Sequence, residues 1–351
     1  VPITINTGGR RTDSRDRREG PQFINGVRYV LDDGAPPPSA AEGNPLVIRA
    51  NAGECLEVRL ANETPNSVGF HIEGASFDPS GPSGGGFGNN PTSTTRPGET
   101  GTYRFYLPAE LGALRIRDLS SPFINTERQL YGTLVVEPEG ASYHDPATDA
   151  PLENGVSAVV RLPDGSTFRE FVVHMIDHDI RIGRFVMPYQ ETVRGDVSVN
   201  FRSEPLARRF TRLGDSDAPR QALLYNEEFS GPPATEIFIA EAGDRIRFRV
   251  VSAFSEQPPV FSIEGHQWTL TPGLEGSDIV SSRLVPSGGT INAELLTAGG
   301  PAGRPGDYLF GNHRLPYWEA GQWGILRILA REPQAALGPR RDAVLFSRIR
   351  L

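Results

Sequence analysis

The chain has 351 residues, a net charge of −8, and arginine at every one of its 35 basic positions. That length suffices for two domains with separate cores. The absence of lysine excludes Schiff-base chemistry and a phosphate-loop lysine, and the acidic balance argues against a nucleic-acid groove. No apolar run approaches the ~20 residues that cross a bilayer. The Arg- and Asp-rich first 21 residues contain no apolar export core, so a cytoplasmic location is expected over a processed exported form.

In chain order, residues 1–45 read as an N-terminal extension with a first strand. Short alternating runs punctuated by Gly, Pro, Asn and Asp then predict an all-β architecture. Strands are predicted at 46–50 and 55–60, joined by a turn at Ala52-Gly53. Cys55, the one cysteine, reads as a packed strand thiol. A strand at "HIEG" comes next, then "PSGPSGGGFGNN" (79–90), which reads as a flexible surface loop. "TGTYRFYL" has the period-two pattern of a half-buried strand, and a strand at 132–137 closes the unit. His144 follows in an exposed loop. Segment 141–234 connects to the second unit and partly joins it. It holds a turn at 162–167, a strand at 168–176, and a surface excursion at 201–232. On that strand His174 and His178 lie about 13 Å apart, too far to share an ion, and read as structural or surface residues. A tail is expected at 336–351.

The hexapeptide "GFHIEG" (69–74) returns as "VFSIEG" (260–265). Other segments pair in the same order. "LVIRANAGECLEVRL" (46–60) matches "EIFIAEAGDRIRFRV" (236–250). "LGALRIRDL" (111–119) lies over "PGDYLFGNHR" (305–314), and "LYGTLVVEP" (130–138) over "QWGILRILA" (322–330). Two copies of one β unit follow, at 46–140 and 235–335, each suited to a Greek-key β-sandwich.

These segments, with "PGETGTYRFYLP" and "FSIEGHQWTLTP", resemble the laccase-like multicopper oxidases. The resemblance implies two cupredoxin-like domains. Its relatives often assemble as trimers, so a homo-oligomer, trimer or dimer, is a possible partner arrangement. The family holds a blue copper and a trinuclear cluster through two His-x-His pairs, a His-x-x-His-x-His motif and a His-Cys-His-x3-His-x4-Met motif. Mapped here, the first pair reads His71 and Glu73, and the second falls near Arg117 and Leu119. The third motif reads Pro259, Ser262 and Glu264. The last reads Gly311, Asn312, His313, Tyr317 and Gln322. Blue copper needs a thiolate, two imidazoles and usually a thioether, and none stands at its position. Of the eight cluster imidazoles, only His71 and His313 remain. The resemblance therefore implies a laccase scaffold without laccase chemistry.

By the same resemblance, His71, Glu73, Arg117, Glu264 and His313 line the former cluster position, with Asp118, Ser262, His266 and Asn312 on the same strands. Strand alternation turns Ile72 and Ile263 to the cores and the polar residues outward. Three readings stay open. Glu73, Glu264 and Arg117 form a buried salt-bridge network between domains, in a non-catalytic scaffold or binding protein. Or Glu73 and Glu264 serve as acid and base on a small organic molecule, without metal, with His71, His313 and Arg117 orienting. Or His71, Glu73, Glu264 and His313 hold one non-blue mononuclear metal ion (copper, zinc, iron or manganese). The aromatic run Tyr317, Trp318 and Trp323 reads as core packing or as a pocket wall.

Overall fold

The computed structural model describes residues 2–9, 27–32, 43–179, 195–213, 223–255 and 257–331; the expected tail at 336–351 lies outside them. Among the described residues four large sheets stack face to face, beside a two-stranded one that pairs Trp268–Thr269 with Ile279–Val280. The first has the order Val27–Leu31, Pro2–Gly9, Cys55–Asn62, Thr100–Tyr106, and the second Leu46–Asn51, Tyr131–Glu137, Gly112–Arg117, His71–Ile72. The third runs Thr290–Leu295, Ile246–Ser255, Thr167–Asp179, Ser157–Arg161, Ser142–His144, with Gly195–Val199 also on Thr167–Asp179. The fourth runs Ile237–Glu241, Trp323–Leu329, Gly306–Asn312, Val260–Ile263, Ser282–Leu284.

Sheets one and two have the same connectivity as three and four. Pro2–Gly9 pairs in parallel with Cys55–Asn62, as Thr167–Asp179 does with Ile246–Ser255. Leu46–Asn51 pairs in parallel with Tyr131–Glu137, as Ile237–Glu241 does with Trp323–Leu329. The register carries the repeat to single residues: His71 stands opposite Arg117, and Ser262 opposite Gly311. Phe70 and Phe261, the shared aromatic of the hexapeptides, are both fully buried at the centres of the two cores. Phe70 packs with Tyr29, Tyr103 and Phe105, and Phe261 with Phe248, Phe310 and Trp268. Ile72 and Ile263 turn to the cores, as expected from alternation.

The second sheet is buried on both faces. All seven residues of Tyr131–Glu137 are buried, the pattern of a strand with no solvent face. Leu134 and Val136 enter the first core, whereas Val135 joins the second. Thr133 and Glu137 share Val135's face by the period of two, and there they meet charge. Arg49 Nε donates to Glu170 at 2.9 Å and Arg247 to Glu137 at 2.9 Å. Arg249 bridges both carboxylates, reaching Glu170 at 3.3 Å and pairing closely with Glu137. Arg49, Glu137, Glu170 and Arg249 are all buried. A buried network between the sandwiches thus exists, but it is built from these residues and not from Glu73, Glu264 and Arg117.

A second polar bridge crosses the same boundary. Thr133 meets His174 Nε2 at 2.7 Å, and Asn200 Oδ1 lies 3.1 Å from His174 Nδ1. Asn200 Nδ2 donates to the Val172 carbonyl, so its Oδ1 is the acceptor facing His174. The imidazole is therefore protonated on Nδ1 and accepts the Thr133 hydroxyl on Nε2. His174 is structural, and burial pushes its pKa down to about 4. His144 is half-buried in a short strand, beside Arg161.

Three local expectations are corrected. Cys55 lies on its strand, but its side chain is exposed. The Gly-rich loop is pinned at residues 83–85, which are buried. Gly84 has φ +84°, and a Cβ there would collide with the Phe70 carbonyl, so this part of the loop needs glycine to reach the "HIEG" strand. The described part of 201–232 is no surface excursion. Helix Leu206–Leu213 packs Leu206 and Leu213 against Trp318 and Trp323, and the fully buried Arg209 pairs with the fully buried Glu204 at 3.0 Å.

Two outcomes follow from the boundary. Glu170→Gln leaves Arg49 and Arg249 buried with half their counter-charge, and chemical denaturation is expected to show a loss of about 3–5 kcal/mol. Between pH 6.5 and 4 the unfolded chain takes up a proton at residue 174 that the folded chain refuses, so folding stability falls toward acid. The decline amounts to about 3 kcal/mol. His174→Gln is expected to flatten that part of the stability–pH curve, measured as the difference between the two proteins.

Candidate functional site

On the first sandwich, the hexapeptide strand presents His71 and Glu73 on the side away from the core. His71 Nδ1 lies 2.9 Å from the Ser83 carbonyl, which only accepts, so Nδ1 carries the proton. Burial lowers the His71 pKa, and the ring sits edge-on to Phe77, Phe87 and Phe105. Glu73 accepts two hydrogen bonds from Arg115, at 2.9 and 2.8 Å, and one from Arg117 at 2.8 Å. Burial alone would raise its pKa, but the two guanidiniums outweigh it and hold the carboxylate below its ordinary value. Arg115 also donates to the Ala253 carbonyl of the second sandwich at 2.9 Å. Glu73 is thus an ionised, arginine-clamped carboxylate near the seam of the two sandwiches.

On the second sandwich the same positions have another setting. Glu264 and His313 are more than half exposed, with Glu264 Oε1 at 3.4 Å from His313 Nε2. Ser262 is buried, and its Oγ has no hydrogen-bond partner. His266 is buried and spent on structure. Its Nδ1 meets the Glu264 carbonyl at 2.8 Å, and its Nε2 accepts the Gly299 and Gly300 N–H groups at 3.0 and 3.1 Å. Burial lowers its pKa, which keeps that acceptor nitrogen unprotonated.

The two polar pairs do not converge within one chain. Among the described residues, no group of three or more His, Cys, Asp and Glu is arranged to hold a metal ion. The position that the resemblance assigns to a blue copper is filled by amides. Asn312 Nδ2 donates to Gln322 Oε1 at 2.7 Å, and Gln322 Nε2 donates to the Ile176 carbonyl at 2.9 Å. Asn312 Oδ1 accepts from the Val260 and Arg314 N–H groups. Asp118, its counterpart in the first sandwich, accepts from Gly69 N–H, the equivalent of Val260, and from Ser121 N–H. One side chain thus ties the same two backbone segments together in each sandwich, through both carboxylate oxygens of Asp118 and through the single amide oxygen of Asn312. These residues do not fit a blue copper, because there is no thiolate and the amide groups are engaged with one another and with the backbone. Tyr317, Trp318 and Trp323 are core residues, as their default reading held.

Beside Glu264 and His313 opens a cavity of about 660 Å³. Ser262, Trp268, Ile279 and Leu296 contribute to its wall. Trp268 is buried, and its indole Nε1 has no hydrogen-bond partner. Sequence reasoning missed Trp268, Ile279 and Leu296. The only available signal was that "HQW" follows the second hexapeptide directly.

Neither a family model nor a curated protein matches the sequence. Solved structures do match in fold. A multicopper oxidase superposes with a TM-score of 0.56 at 17% identity, over 94% of this chain and 88% of that one. A copper nitrite reductase from Nitrosomonas europaea gives 0.54 at 16% identity, over 94% of each chain. A blue copper oxidase from the same organism gives 0.55 at 14% identity, over 93% of this chain and 85% of that one. The sheet order, the duplicated register and these superpositions agree: the chain is an all-β protein of two cupredoxin-like sandwiches, with the fold of the multicopper oxidases and without their copper-ligand set.

Proposed function

We propose that the chain binds a small organic molecule in the cavity beside Glu264 and His313, and that this pair exchanges a proton with the bound molecule. The cavity carries the reading. Its volume lies in the ordinary range of ligand sites, and its wall combines apolar side chains with a few polar groups. Two of those groups, Ser262 Oγ and Trp268 Nε1, are buried without a protein partner, a state that native structures usually relieve with water or ligand. Glu264 and His313 are exposed enough to reach a bound molecule, and carboxylate and imidazole are the common side chains of acid–base work. In this reading Glu73, Arg117 and His71 belong to the frame, because each is already engaged by neighbouring side chains or backbone.

Two measurements test the proposal. Metal content by plasma mass spectrometry is taken on protein purified without chelator, and again after incubation with copper, zinc, iron and manganese. The expected result is substoichiometric metal throughout. A stoichiometric ion whose retention requires Glu264 and His313 overturns the proposal. Thermal denaturation is then followed against a chemically diverse compound set. A ligand present at a hundred times its Kd adds about 2.7 kcal/mol, which raises Tm by several degrees in a chain of this size. The shift is expected to vanish in Leu296→Trp, which plugs the cavity mouth. Shifts that survive the plug, or a set without a single ligand, overturn the proposal.

A further inference from the structure

The cavity wall carries charge of one sign. Among its described lining residues are two carboxylates, Glu264 and Glu294, and no arginine, in a chain that has no lysine. Glu294 is already paired with Arg247 at 2.7 Å, a guanidinium that it shares with Glu137. Glu264 is 58% exposed, and its facing group is His313 at 3.4 Å. The open charge of the cavity is therefore a carboxylate. Deeper in the wall, Ser262 and Trp268 are 3% and 2% exposed, and their Oγ and Nε1 are unpartnered. An indole N–H only donates, so its missing partner is an acceptor. At the surface, Ile279 and Leu296 are 69% and 72% exposed, large apolar side chains bordering the same space.

We infer that the cavity takes a small organic amine. Its protonated nitrogen pairs with Glu264, its compact apolar body covers Ile279 and Leu296, and an acceptor oxygen on that body meets Ser262 Oγ and Trp268 Nε1 through side-chain rotations that uncover these two solvent-closed atoms. This rests on the reading of the cavity as a small-molecule site and names the chemistry it selects. An anion of the same shape meets an unbalanced carboxylate and finds no arginine among the described wall residues. A neutral analogue keeps the apolar and acceptor contacts and forgoes the charge pair.

Three probes on one skeleton separate these contributions by titration calorimetry of the full chain. Phenylalaninamide is cationic with a carbonyl acceptor, N-acetylphenylalaninamide is neutral with the same acceptor, and N-acetylphenylalanine is anionic. The cation is expected to bind about tenfold tighter than the neutral probe, the scale of one charge-assisted hydrogen bond, and the anion weakest. Glu264→Gln is expected to remove that tenfold advantage and leave the neutral probe unchanged. Ser262→Ala, a small change in a buried wall, is expected to weaken the cation and the neutral probe together; equal binding there removes the acceptor half of the inference. A neutral or anionic probe that binds as tightly as the cation overturns the amine inference and leaves the cavity reading standing. So does cation binding unaffected by Glu264→Gln. No binding by any of the three overturns the amine inference, and the compound set then decides the cavity reading by itself.

Discussion

The structure depends on burying two carboxylates and two guanidiniums between its middle sheets. Arg49, Glu137, Glu170 and Arg249 lie where a two-domain protein ordinarily carries apolar side chains or water. Taking charge from water is expensive, and only close mutual pairing offsets it. Pairing requires both sandwiches, since Arg49 and Glu137 come from the second sheet and Glu170 and Arg249 from the third. Neither sandwich can leave the other without exposing a half-satisfied set. That constraint sets the stacking of the four sheets. Through Arg115, which binds Glu73 and the Ala253 carbonyl, it also sets the orientation of the first hexapeptide strand against the second sandwich.

Duplication gave both sandwiches the same frame and left their polar faces to diverge. Asp118 and Asn312 do one job twice, tying the first residue of the hexapeptide to the turn that follows the strand paired with it. The two glutamates have parted. Glu73 is clamped by two arginines, whereas at the second hexapeptide Gly311 stands where Arg117 stands in the first. Glycine supplies no cation. Leu309 likewise stands where Arg115 stands in the first, so both guanidiniums are missing from the equivalent positions. Glu264 is left open to the solvent and the cavity, and these two differences separate a structural carboxylate from a candidate functional one.

Much of the frame was legible in the sequence. Alternation in "CLEVRLAN" places Leu56, Val58 and Leu60 inward with Glu57 and Arg59 outward, and the repeat laid 111–119 over 305–314, where the register then matches Arg117 to Gly311. The boundary network was not legible. Arg49 and Glu137 are single charges in apolar strands, Glu170 and Arg249 share theirs with Arg169 and Arg247, and their partners lie more than a hundred residues away or on strands whose pairing is nonlocal. The run "YGTLVVE" did hold a clue, since a strand with no alternation has two buried faces. Segment 201–232 misled because its arginines read as surface. Its Leu206, Phe210 and Leu213 keep helical spacing, but a buried Arg209 needs Glu204 and the Gly231 carbonyl to be tolerable. The described wall of the cavity comes from several short strands and turns spread over residues 262–313, so no single local pattern announces it.

The all-arginine composition has a consequence on the alkaline side. A guanidinium does not lose its proton below about pH 12, so raising the pH cannot dissolve the boundary network as it would dissolve lysine pairs. Phenols titrate first. Tyr29, Tyr103 and Tyr143 have pKa values pushed up by burial, whereas in the unfolded chain they ionise near about 10. Above that value the unfolded state gains charge that the folded state refuses, and folding weakens with each further step in pH. Hydroxide therefore attacks this protein through its desolvated tyrosines, Tyr225 among them, and leaves the ion pairs that join its sandwiches intact.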